Sequence, residues 1–285
     1  MNNFKSGISS VQKIGLTRTA NEKDFLLGKG EKMFLIRAKK ITCLVVSICI
    51  ILAFAVFQSG NRSESLYTDA EVNVPEENIT RSLIVNSKDS PNKTAYLTFD
   101  DGPTNNTEII LDTLKEHDIK ATFFVLGERA EQNPETLTRV FNEGHTIGNH
   151  SYSHDYNGIY GSREEFMREL LKWEEVVGSI IGRENLIRLF RFPGGSKDDW
   201  KYMYRNIAAE MGYKYVDWTA LCGDADGKPF SKERCMEEIK KYCTDTGDVV
   251  ILMHDSAKKT ITAETLPQII DFLKSQGYSF KRIEI

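Results

Sequence analysis

A chain of 285 residues holds enough material for one large domain, or for a medium domain with appendages. Its 40% hydrophobic and 27% charged content is ordinary for a globular protein. A formal net charge of −4, with no large basic region in the main body, excludes general nucleic-acid binding.

The first forty residues carry nine Lys/Arg against three acids, Glu22, Asp24 and Glu31. An uncharged apolar run, Ile41 to Phe57, follows directly. Its length meets the lower limit for a transmembrane helix, roughly 17–25 residues. Arg37, Lys39 and Lys40 precede it, so the positive-inside rule keeps segment 1–40 cytoplasmic and exports everything after Phe57. The expectation is a single-pass anchor at 41–57 in the cell membrane. A cleaved signal peptide ending near Ala53-Phe54-Ala55 and a buried core helix are the competing readings. Residues 58–92 are polar without sustained period and read as an extracytoplasmic stalk.

From about Thr94, short apolar runs alternate with amphipathic stretches, the pattern of βα units around a parallel sheet. Strands are expected at 95–99, 122–125, 146–148, 189–192, 213–216, 249–252 and 279–283. Helices are expected at 107–116, 134–142, 163–181, 200–211, 232–242 and 263–276. Polar residues stand just after the strands: Asp100 and Asp101, His150, Arg191, Asp217 and His254. In parallel α/β folds those strand ends converge on one face, where active sites lie.

In Thr98-Phe99-Asp100-Asp101-Gly102-Pro103, both aspartates face one cleft only if the chain leaves the strand there, and Gly102-Pro103 supplies the turn. His150 and His154 are four apart, a spacing that places both imidazoles on one face of a helical turn. With Asp101 as third ligand they make an open, catalytic type of metal site. In Arg191-Phe192-Pro193-Gly194-Gly195, the glycines expose backbone N–H groups able to donate to an oxyanion, and Arg191 can pair with Asp100. His254, at the end of Ile251-Leu252-Met253-His254-Asp255, becomes a general acid if Asp217 sets its tautomer and charge. Trp218 and Leu252 can wall a pocket for an acetyl methyl group. For each motif taken alone, a surface turn, a core residue or a solvated acid is an equally ordinary reading. His117 and His145 read as surface and structural residues. Cys222, Cys235 and Cys243 allow one disulfide or three thiols, and spacing does not choose.

Taken in order, TFDDGP, HSYSH, RFPGG, VDW and ILMHD resemble the polysaccharide deacetylases of carbohydrate esterase family 4, the NodB homology domain. The resemblance covers about 93–285. It implies an α/β fold, a distorted incomplete (β/α) barrel, and a divalent metal, commonly zinc or cobalt. By the same resemblance Asp100 is the catalytic base, and Asp101, His150 and His154 are the metal ligands. Arg191 orients the base, and Gly194 gives the oxyanion donor. Asp217 tunes the acid His254, and Trp218 and Leu252 form the acetyl pocket. The chain departs from many relatives at Lys214, where an acid is common, at Gly194, where tyrosine is common, and at Cys222, where a small polar residue is expected. The implied substrate is an N-acetylated polysaccharide, with peptidoglycan N-acetylglucosamine first and chitin-like oligomers next. The implied catalytic domain is monomeric. A tethered glycan-binding protein without catalysis is the reading from another class.

Overall fold

A computed structural model describes residues 93–243 and 247–285. The basic segment, the apolar run and the stalk lie outside the described residues. Among the described residues no helix is long and apolar enough to cross a membrane.

Eight parallel strands build the domain: β1 (Lys93–Asp100), β2 (Thr122–Val125), β3 (Thr146–Asn149), β4 (Leu189–Phe190), β5 (Lys214–Tyr215), β6 (Ala220–Leu221), β7 (Val249–His254) and β8 (Tyr278–Phe280). The helices are α1 (Asn105–Glu116), α2 (Gly127–Gln132), α3 (Pro134–Asn142), α4 (Tyr156–Ile159), α5 (Arg163–Ile181), α6 (Tyr202–Glu210), α7 (Lys232–Tyr242) and α8 (Thr260–Ser275). The strands pair in the order β5-β4-β3-β2-β1-β7-β6, and β8 pairs with the first residues of β1.

Strand periodicity sorts the side chains into two layers. Leu97 and Phe99 on β1, Phe123 and Val125 on β2, and Val249, Ile251 and Met253 on β7 join the main apolar cluster beneath the helices. The alternate residues form the inner face, where Phe124 and Val250 pack with Leu189 and Val216. Thr98, Asp100, Leu252 and His254 belong to that alternate set. Since Asp100 and His254 are Cα partners in the β1–β7 register, both present the same face at the same level.

The sheet is curled. Val216 N–H donates to Phe190 O on β4, and three residues later Thr219 N–H donates to Val250 O on β7. Three residues reach at most about 10 Å. A flat sheet with these strands in this order would separate β5 from β6 by about 29 Å. The strands therefore wrap into an open α/β half-barrel of parallel strands, with Val216–Thr219 crossing the gap between its edges.

Most expected elements are present, with shifted ends. The strand expected at 189–192 stops at Phe190, and that at 213–216 is only Lys214–Tyr215. Sequence reading did not anticipate β6, α2 or α4, each six residues or shorter. The three thiols of Cys222, Cys235 and Cys243 are free and buried.

Trp173 on α5 ties helix to sheet. It is fully buried, and its indole N–H donates to Val125 O at 2.8 Å. Trp173→Phe is expected to destabilise the fold by about 1–3 kcal/mol, and Trp173→Ala by about 3–5 kcal/mol, as read from urea midpoints.

Candidate active site

β1 delivers Asp100 as its last residue. Its carboxylate pairs with the Arg191 guanidinium at 2.9 Å, and both side chains are almost wholly buried. Burial raises the Asp100 pKa, and the charge and hydrogen bond of Arg191 pull against that rise without cancelling it. Asp101 then adopts φ 77°, taking the chain off the strand as the turn required. Gly102 is obligatory there: a Cβ would lie 2.0 Å from an Asp255 carboxylate oxygen. Asp255, fully buried, accepts from Thr107 Oγ1 at 2.5 Å, and its N–H donates to Asp100 O at 3.0 Å.

The Asp101 carboxylate oxygen Oδ1 lies 3.6 Å from Nε2 of both His150 and His154. The three ligand atoms fall within 4.8 Å of one another. The two imidazoles do not share a helical turn, which corrects the expectation from their spacing. Residues 150–154 form a loop in which Ser151 (φ 73°) and His154 (φ 59°) are left-handed, yet the ring centroids come within 5.2 Å. Glu169 on α5 holds that loop, one carboxylate oxygen accepting from Tyr152 N, Ser153 N and Ser153 Oγ at 2.8–3.0 Å.

These residues fit a divalent metal. Asp101 Oδ1 is buried with no hydrogen-bond partner, an acceptor that only a cation or solvent would satisfy. His150 Nδ1 lies 2.8 Å from Arg191 O, so Nδ1–H donates to that carbonyl and leaves Nε2 unprotonated toward Asp101. Burial also lowers the His150 pKa to about 3, which keeps the ring neutral.

His254 ends β7, and its Nδ1 lies 2.8 Å from Asp224 Oδ1. The other Asp224 oxygen accepts from His254 N–H and Thr262 Oγ1, each at 2.9 Å, and Lys259 donates to its carbonyl oxygen. Burial alone would lower the His254 pKa, but the Asp224 hydrogen bond and charge outweigh it and raise the value to about 9. Asp224, not Asp217, is therefore the partner of the histidine. Asp217 instead accepts from Ser196 N (3.0 Å) and Ser196 Oγ (2.7 Å), fastening the loop after Gly194. The reason is topological. Asp217 follows β5 at one sheet edge, whereas Asp224 follows β6, which pairs with β7. An apolar Ala220–Cys222 run ending at Gly223-Asp224 was the available signal, the same strand-then-acid pattern that marks Asp100.

Arg191 lies behind the cleft and donates also to Thr98 Oγ1 (2.7 Å), Val216 O (3.2 Å) and Asp217 O (3.3 Å). Gly194, Trp218 and Leu252 line the cleft, as expected, together with Leu221 and Tyr156; its volume is about 440 Å³. Lys201, buried in the turn before α6, was not anticipated. Its ammonium donates to Pro193 O (3.1 Å) and Gly195 O (2.6 Å), the carbonyls on either side of Gly194. His145 is structural, accepting from Ala121 N at 3.1 Å.

The family described as polysaccharide deacetylase matches residues 87–216. A peptidoglycan-N-acetylglucosamine deacetylase of Bacillus cereus is 32% identical over 260 residues, 86% of this chain and 93% of that protein. The chain belongs to the polysaccharide deacetylase family. Among solved structures, the catalytic domain of a peptidoglycan N-acetylglucosamine deacetylase from Eubacterium rectale matches with a TM-score of 0.63 and 32% identity, covering 70% of this chain and 93% of that one. A CE4 esterase of Streptococcus mutans matches with a TM-score of 0.63 and 31% identity, covering 68% and 87%. The fold is thus that of carbohydrate esterase family 4, the NodB type, and the chain is a polysaccharide deacetylase.

Two outcomes follow from the geometry. A histidine that must be protonated to donate stays competent up to about pH 9 and loses activity above it. Asp224→Asn should move that alkaline limb of the kcat/KM profile to lower pH, while Asp217→Asn should leave its position unchanged. Glu169→Ala should weaken divalent-metal affinity by about 10–100-fold, read by calorimetric titration, because it frees the loop that orients both imidazoles.

Proposed function

We propose that this polysaccharide deacetylase removes the acetyl group from N-acetylglucosamine units of peptidoglycan. The observation that carries the reading is the placing of Asp100 and His254 as neighbours at the ends of β1 and β7, beside the Asp101–His150–His154 cluster. A base and an acid thus flank one metal-binding site. Two relatives of closely similar size or fold are named for peptidoglycan N-acetylglucosamine, which supports the choice of sugar. The basic N-terminus and apolar run 41–57 support an exported domain tethered to the cell membrane, where that polymer lies.

Asp101, His150 and His154 would hold the divalent cation, with zinc or cobalt proposed. Bound there, the cation supplies Lewis acidity, acidifying the attacking water and polarising the acetamide carbonyl. Asp100 takes the proton from that water. Its burial makes it a stronger base than an exposed aspartate, and Arg191 fixes its direction. The Gly194 N–H donates to the carbonyl oxygen as negative charge grows there, within a loop held by Lys201 and Asp217. Trp218, Leu221 and Leu252 enclose the acetyl methyl group. His254, kept protonated by Asp224, gives its Nε2 proton to the nitrogen as the C–N bond breaks. One water is consumed, and acetate and a free amine leave.

The test is acetate release from peptidoglycan and from N-acetylglucosamine oligomers. Chelation should abolish it, and added zinc or cobalt should restore it, with little change in melting temperature. Asp100→Asn and His150→Ala should each lower the rate by about 100-fold or more. If both variants keep the parent rate, the assignment fails.

A further inference from the structure

We propose that the exposed rings of Tyr156 and Trp200 form a sugar-stacking surface that binds glycan units adjoining the one being deacetylated. This rests on the reading of the substrate as a polymer of N-acetylated hexosamine.

Two of the largest exposed apolar side chains of the described residues are Tyr156, which is 46% exposed, and Trp200, which is 54% exposed and is linked to Tyr156 through Tyr160. Isolated exposed aromatics need no explanation, but these two are joined. From the metal-site residue His154, a line of rings runs through Tyr156, Tyr160 and Trp200, with successive centroids 5.7, 5.6 and 5.1 Å apart. Tyr156 lines the cleft itself. Its hydroxyl fills the space beside Gly194, where a Cβ would lie 2.2 Å away. The glycine at a position where many relatives carry tyrosine thus makes room for an aromatic ring from α4.

Trp200 is held in place while remaining open to solvent. Tyr160 meets it edge-on at 88° and Tyr204 at 81°. The Lys201 ammonium lies 5.1 Å from the centroids of both the Trp200 and Tyr160 rings. That ammonium also grips the carbonyls flanking Gly194, and Tyr160 donates to Pro193 O at 2.9 Å. The outer ring is therefore fixed in register with the oxyanion loop. A flat apolar face held this way loses little conformational freedom on binding, and tryptophan and tyrosine offer large contact area on only two torsions. The C–H faces of pyranose rings are the part of a glycan that such a surface takes. Continuity with the catalytic cleft identifies the occupant as the same polymer that supplies the reacting acetamide. Binding energy from those remote units is then available to hold the reacting unit in place.

The test is calorimetric titration of the full-length Asp100→Asn protein, which blocks turnover, with the dimer and the hexamer of N-acetylglucosamine. The hexamer should bind at least about tenfold more tightly than the dimer. Adding Trp200→Ala should collapse that ratio toward one, and Trp200→Tyr should restore most of it. A ratio unchanged by Trp200→Ala, or equal losses for both lengths, overturns the proposal. Self-association of the protein that disappears in Trp200→Ala, with the length ratio intact, would assign the surface to a second copy of the chain and also overturn it. Failure of the function reading looks different: the parent protein would release no acetate from either oligomer, whatever the binding ratio.

Discussion

The buried guanidinium of Arg191 joins the parts of this active site that the chain brings from separate strands. One nitrogen holds both Asp100 and Thr98 on β1. The others reach the carbonyls of Val216 and Asp217, beyond β5. The backbone carbonyl of Arg191 accepts from His150 Nδ1–H and so fixes which nitrogen of that ring faces Asp101. A charge this deep is tolerable only because its donors are occupied; stripping a partner from such a pair typically costs about 3–5 kcal/mol. Asp100, Thr98 and the Val216–Asp217 backbone are thus tied together by one planar group whose fork geometry a lysine would not reproduce.

Two groups with raised pKa values share the cleft, for opposite reasons. Asp100 rises because burial disfavours its charge, and Arg191 limits the rise. His254 rises although burial works against it, because Asp224 favours the imidazolium. Burial thus acts in opposite directions on the two groups, and the partner of each, Arg191 or Asp224, opposes it.

Much of this was legible in the sequence, and the misses have physical causes. Long apolar strands ending in Asp100 and His254 announce themselves, and their shared parity on paired strands puts both on the inner face. The Asp217 assignment failed because β6 is two residues long and leaves almost no periodic signal. The short apolar run before Gly223-Asp224 is the one trace it leaves of the edge that carries Asp224 to His254. The spacing of His150 and His154 gave the right pair for an incomplete reason. Closure comes from left-handed residues held by Glu169, which lies on a helix fifteen positions further on and has no local signature. Lys201 is the same kind of case, a charge whose burial appears only once the chain has folded over it.

The short crossing from Val216 to Thr219 carries a consequence for how this scaffold can diversify. It spans the open seam of the half-barrel, bonded to β4 on one side and β7 on the other. Asp217 and Trp218 lie within it, so the seam's width and the position of the Trp218 wall of the cleft are set by the same few peptide units. An added residue there would let the two rims drift apart and detach Asp217 from Ser196. Evolutionary change in what the enzyme accepts is thereby directed away from the seam and into the segments at the mouth, where length can vary without opening the wall.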